Sequence, residues 1–215
     1  MFEYRLGKHY NLTIGNSFHG GMIMDREEVR KVIKRGELEE DLKGYFLATI
    51  DERISRYQEL DFIKLTPNTH FAFVSVECIN LYRDGYFLAC IALCQAVAEA
   101  IVRLMCERSK FSSISDDYEK NVENLQKRKI EPDCSELFEE IWKGRNDYHH
   151  LNPEIPTERS KLQDIAKSKI LTLHTIESKV FDFAWTKDGA ISPRYPKYWD
   201  FNENGTLNVY LRFET

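Results

Sequence analysis

Between Lys143 and Pro153 the chain reads KGRNDYHHLNP. An arginine, an amide, a carboxylate, a tyrosine and two histidines are gathered where the flanking residues are ordinary apolar packing residues. A histidine can act as a base near neutral pH, because its unperturbed pKa of roughly 6.5 lies close by. A guanidinium can hold two oxygens of a phosphate-like anion at once. Helical spacing puts His149 on the face of Arg145, four residues earlier, whereas His150 lies about 140° around a straight helix. For Arg145 and His150 to act together, the helix must end or bend between them. Asn146 and Asp147, which compete for backbone hydrogen bonds, are where that end is expected. Pro153 and Pro156 mark the chain leaving helix. The structural alternative is that Arg145 pairs with Asp147 or Glu140 and that His150 caps a helix.

The elements that must position this segment are helical. Residues 70–83 are apolar and amphipathic, and Asp84-Gly85 punctuates them. The next helix, about 86–109, carries Phe87, Ile91, Cys94, Ala98, Ile101 and Met105 at alternating spacings of four and three, the strongest periodic signal in the chain. A polar helix is expected near 116–128. Pro132 stops that region, and Asp133 with Glu136 resembles a helix-capping pair before Leu137, Phe138, Ile141 and Trp142. A long helix over 157–185 follows, with Leu162, Ala166, Ile170, Leu173, Ile176, Val180 and Phe183 on one face. Upstream, Asp25 opens a helical pattern that Gly36 and Gly44 interrupt, and a second helix runs from about Phe46 to Leu60. Residues 1–24 have no clear period and read as an irregular arm or short strand. At the other end Asn204-Gly205 is a two-residue hairpin signal. Leu207, Val209, Leu211 and Phe213 alternate after it, and Trp199 and Phe201 stand opposite. The expected organisation is an N-terminal arm and helices over 1–68, a helical core over 69–187 and a β-hairpin over 188–215. The fold class is mainly α.

The run Arg145-Asn-Asp-Tyr-His-His150 resembles the R-x4-6-H motif of HEPN domains, with a polar residue directly after the arginine. The run LYRDGYFLACIALCQAVAEAIVRL, including Glu99, is similar to that family's long paired core helices. The resemblance spans about residues 70–185. It implies a HEPN-like helical bundle, a homodimer with two motifs facing each other, and a metal-independent endoribonuclease in a toxin or antiviral defence role. On that carry-over Arg145 and His150 are the catalytic pair, supported by Asn146 and, more weakly, by Glu99; His149 reads as a solvent-facing or supporting residue and not as the base. RNA would be cleaved by its own 2′-hydroxyl, with histidine as base and guanidinium on the phosphorane. Lys143 and the run Lys127-Arg128-Lys129 would supply local attraction for phosphate. An antitoxin or other regulatory partner is also implied. The alternative function is a non-catalytic HEPN module that dimerises or binds a nucleotide or partner protein. One HEPN subgroup carries a tyrosine two residues after the motif histidine; Asn152 stands there in this chain.

Composition narrows the remaining classes. The 215 residues are 42% apolar and 30% charged, ordinary values for a folded domain, and the net charge is −5. Nucleic acid contact would therefore use a local patch rather than the whole surface. The five cysteines form no CxxC pair, and His149-His150 lacks the partners of a zinc motif, so no metal or cofactor is expected. Three of the cysteines lie in one apolar stretch and read as reduced core residues of a cytoplasmic protein. The N-terminus lacks the apolar centre of a signal peptide. Tyr86–Val102 is apolar enough to be mistaken for a membrane span. However, Gln95, Glu99 and Arg103 form a polar stripe at i, i+4 and i+8, as expected of a buried helix with one polar edge.

Overall fold

The structure is a computed structural model that describes residues 25–60 and 65–212. The expected arm over 1–24 and the outward continuation of the last strand to Phe213 lie outside the described residues. The chain divides into two compact units between Thr49 and Ile50, and each is taken by itself.

In the first unit one helix, α1 (Arg26–Ala48), runs unbroken through both Gly36 and Gly44. A glycine inside a helix costs about 1 kcal/mol relative to alanine, which weakens a helix without ending it. Ion pairs one turn apart, Lys31 with Glu27 at 3.1 Å and Lys43 with Glu39 at 2.7 Å, oppose that loss. The second helix, α2 (Ile50–Gln58), opens the second unit and accordingly starts later than the spacing predicts.

The second unit is built on α3 (Ala72–Asp84), α4 (Phe87–Arg108) and α8 (Arg159–Val180). Gly85 sits between the first two at φ +83°. The Tyr86 amide reaches back to the Leu81 carbonyl at 2.8 Å and the Gly85 amide to that of Tyr82 at 3.0 Å. This left-handed cap closes α3 and turns the chain into α4. Every residue of the expected seam on α4, from Phe87 to Met105, is buried. So are Ala166, Ile170, Leu173, Ile176 and Val180 on α8. α4 is long and apolar enough to cross a membrane by length and composition, and here it is the central helix of the core. Its polar edge serves packing. Gln95, fully buried, donates to the Ile141 carbonyl at 3.1 Å, and Glu99 pairs with Arg103 at 3.1 Å. All five cysteines are free and buried.

The shorter helices α5 (Tyr118–Lys127), α6 (Ser135–Trp142) and α7 (Arg145–His150) lie against α4, and α6 also packs on α8. Asp133 accepts from the Ser135 amide and hydroxyl, but the residue at the cap of α6 is Cys134. α8 ends five residues before the expected 185. Phe183–Trp185 instead forms a strand, β2, paired antiparallel with β3 (Ile191–Pro193). The aromatic pair Phe183 and Trp185 favours strand, and Phe183 packs edge-on to the buried Trp199 at 5.9 Å. The C-terminal hairpin forms from β4 (Asp200–Phe201) and β5 (Leu207–Leu211). Its loop is one residue longer than a two-residue turn. The Asn202 amide donates to the Thr206 carbonyl at 2.8 Å, and Gly205 takes the left-handed position at φ +80°. The other edge of β5 pairs with β1 (Leu65–Pro67), a strand the sequence pattern does not announce. A buried network ties this sheet to the helices. Arg212 donates to Glu177 at 2.6 Å and to Ser75 at 2.9 Å, and Ser75 donates to Glu177 at 2.7 Å.

Candidate active site

The segment that carries Arg145 is set by a break just before it. α6 ends at Trp142, Lys143 is extended, and Gly144 takes φ +74°, a conformation that costs glycine little. α7 then runs without interruption from Arg145 to His150 and ends at Leu151, which is left-handed at φ +51°. The Asn152 amide and side chain both donate to Asp147, at 3.0 and 2.7 Å, and tie off that end. The expected bend at Asn146-Asp147 is therefore absent. Both residues sit in the first turn of α7, and the irregular backbone falls at Gly144 and Leu151 instead. As a result Arg145 and His149 share a helical face, and Arg145 and His150 within one chain do not.

Arg145 is held by an aromatic pair. Its guanidinium carbon lies 5.1 Å from the centroid of Trp142, and the Trp142 ring stacks on Tyr118 at 3.8 Å and 13°. The Tyr118 hydroxyl, buried so that its pKa is pushed well up, donates to the Phe138 carbonyl at 3.0 Å. One Arg145 terminal nitrogen donates to Asn146 at 3.3 Å, while its buried Nε has no protein partner. Arg145 pairs with neither Asp147 nor Glu140 among the described residues, so the expected structural ion pairs do not form. His149 is exposed, and partial desolvation, followed by the positive charges of Arg145 and His150, holds it below the ordinary histidine value. A hydrogen-bonding contact with the Ala92 backbone on α4 pulls the other way. At neutral pH His149 is thus the uncharged form, which can accept a proton. His150 is exposed and has no hydrogen-bond or ion-pair partner among the described residues.

The other expected site residues separate. Glu99 lines a small hollow of about 210 Å³ with Arg145, Asn146 and Trp142, yet its ion-pair partner is Arg103. Lys143 and Arg145 line a larger cleft of about 900 Å³ whose walls carry Glu119, Glu123, Glu136, Glu139, Glu140 and Asp147. That wall is acidic, so the attraction expected from Lys143 is offset by its surroundings. Lys127, Arg128 and Lys129 stand at the far end of α5 from Tyr118, about 13 Å along the helix by its rise per residue. Lys127 pairs there with Glu123 at 2.9 Å, and Arg128 covers Phe111 at 4.1 Å. Lys127 is thus tied to Glu123, itself a wall residue of the cleft that Arg145 lines, and Arg128 is taken up by Phe111.

Three residues that matter here carry weak sequence signals. Trp142 precedes Arg145 by three, a spacing that puts them on one side of any continuous helix. Tyr118 carries no signal that links it to the motif. Lys169 falls among the buried positions Ala166, Ile170 and Leu173 of α8, and a lysine on an apolar face is a visible anomaly. Its Nζ donates to the carbonyls of Glu140, Ile141 and Lys143 at 2.7, 2.9 and 2.9 Å, and burial pushes its pKa down to about 8. Comparison with family models, with curated proteins and with solved structures finds no match for this chain.

Proposed function

We propose that this chain is a metal-independent endoribonuclease of HEPN type, acting in the cytoplasm as a two-fold homodimer in toxin or antiviral defence. The observation that supports it most is the state of the Arg145 face. A guanidinium held over an aromatic ring, with no ion pair among the described residues, shares a helical face with a histidine held in its neutral form. In the proposed reaction the histidine takes the proton of a ribose 2′-hydroxyl. The 2′-oxygen bonds to the adjacent phosphorus, the bond to the 5′-oxygen breaks, and that oxygen leaves with a proton relayed through water from the histidine. Arg145 holds the two phosphoryl oxygens on which charge accumulates. Within one chain His149 is the base in this scheme. His150, the motif residue, enters from the second protomer, where the two-fold axis brings the motifs face to face.

The test is the initial cleavage rate of a structured RNA in EDTA. Arg145→Lys should lose activity, because an ammonium cannot reproduce the bidentate fork. Arg145→Lys cleaving like the parent rejects the catalytic reading, and light scattering that finds only the 25 kDa chain at micromolar concentration rejects the dimer.

The acidic cleft supports a second reading, a non-catalytic module that binds a partner protein. Six carboxylates against Lys143 and Arg145 repel phosphate on that side. A chain that cleaves no RNA but retains a basic partner at low salt would favour this alternative.

A further inference from the structure

At the turn between α3 and α4, away from the Arg145 segment, four arginines converge. Arg56 of α2 is 2% exposed and Arg159 is the first residue of α8. Both guanidinium groups face the same ring, that of Phe87, at 5.7 and 5.0 Å from its centroid. Both also reach the space above Gly85. A Cβ built on that glycine would collide with Arg159 Nη2 and lie 3.5 Å from Arg56 Nη2. Arg83, 5% exposed, lies over Tyr57 at 4.1 Å, and its buried Nε has no protein partner. Arg53 is paired with Asp84.

Arg56 is held by the Arg83 carbonyl at 2.8 Å and has Glu52 at 3.4 Å. Arg159 makes no ion pair among the described residues. Over the Phe87 ring, two guanidinium groups therefore share one carboxylate, Glu52, among the described residues. Like charges brought together beside a buried ring repel more strongly than they would in water. An anion bound between Arg56 and Arg159 would remove that repulsion. The fork of Arg159 matches two oxygens of a phosphate, and Arg56, whose Nε and Nη1 are engaged, has Nη2 for a third. The missing side chain at residue 85 leaves room for both groups to meet. Tyr86, adjacent and 57% exposed, offers a flat face to whatever the phosphate carries.

We propose that Arg56 and Arg159, meeting over Gly85, form a phosphate-binding site for a nucleotide or for the backbone of an RNA strand. The phosphate site does not rest on the nuclease reading.

The experiment uses the full chain and Arg159→Gln, an exposed position chosen because Arg56 is buried and its loss risks the fold. Inorganic phosphate and a 5′-phosphorylated mononucleotide are titrated calorimetrically at low salt. A fluorescent single-stranded RNA is followed by anisotropy across a salt series. Phosphate binding should weaken about tenfold in Arg159→Gln, the loss of one charged fork, with the melting temperature unchanged. If RNA is the source, the slope of log affinity against log salt should also fall by about one. A slope that stays the same while phosphate binding is lost assigns the site to a free nucleotide. Equal phosphate affinity in parent and variant, or no phosphate binding by the parent, overturns the proposal. Because binding is read without cleavage, an inactive Arg145 segment leaves this result interpretable.

Discussion

Lys169 donates to the Lys143 carbonyl at 2.9 Å, and so holds the last residue before the glycine that starts the helix of Arg145. The same ammonium takes the Glu140 and Ile141 carbonyls, and Gln95 adds a second bond to Ile141. The open end of α6 is thereby satisfied from inside the core. Its unpaired carbonyls would otherwise need water or a left-handed cap at that point.

Lys169→Met should therefore cost about 2–4 kcal/mol, since it leaves buried carbonyls without donors while keeping most of the side-chain volume. Chemical denaturation measures it. A loss under about 0.5 kcal/mol, the range of ordinary surface substitutions, would show that water replaces the ammonium without penalty.

The same lysine makes stability depend on pH in a stated direction. Folded, it gives up its proton at about pH 8, whereas the unfolded chain does so near 10.4. Between those values the unfolded state holds more protons, so stability rises with pH. The parent should gain stability relative to Lys169→Met from pH 8 to pH 10. A difference that stays flat, or falls, over that interval contradicts the burial of a charged amine.

The two histidines separate by geometry. His149 shares the Arg145 face and His150 does not, because α7 is continuous through both. Under the nuclease proposal His149→Ala should reduce cleavage by about 10² or more, as expected for loss of a general base. His150→Ala should do the same only if the second protomer supplies it. Mixing Arg145→Ala and His150→Ala chains would then restore part of the activity. The acid limb of the parent rate profile should fall below the ordinary histidine range, because His149 stays neutral to lower pH. A limb at or above pH 7 would exclude His149 as the base.

Trp142→Ala removes the ring under Arg145 and the partner of Tyr118. We expect about 1–3 kcal/mol of destabilisation from the lost aromatic packing. Cleavage should fall in proportion to the misplaced guanidinium, and Trp142→Phe should recover much of it. If Trp142→Ala cleaves like the parent while melting lower, the ring is packing alone and Arg145 needs no platform.

Much of this arrangement was legible in local pattern. The seam on α4 follows from alternating spacings of three and four, and a seam of six apolar side chains has only one face on which to be buried. Asp84-Gly85 and Asn204-Gly205 mark turns because few other residues accept a left-handed backbone cheaply. The mainly helical class, the five buried cysteines and the terminal hairpin belong to the same kind of inference. What local pattern did not decide is where a weak signal yields to its neighbours. Gly36 and Gly44 look like breaks but lie inside α1, since one helix interior tolerates about 1 kcal/mol per glycine. Asn146 and Asp147 look like a helix end, yet Gly144 takes the break, because Lys169 and Gln95, distant in sequence, cap the carbonyls at that point. Leu65–Pro67 carries no strand pattern of its own and is a strand through its pairing with β5. The arginines around Gly85 come from α2, α3 and α8, so no window of sequence contains them. Their convergence is a property of packing, which alone brings together charges separated by about a hundred residues of chain.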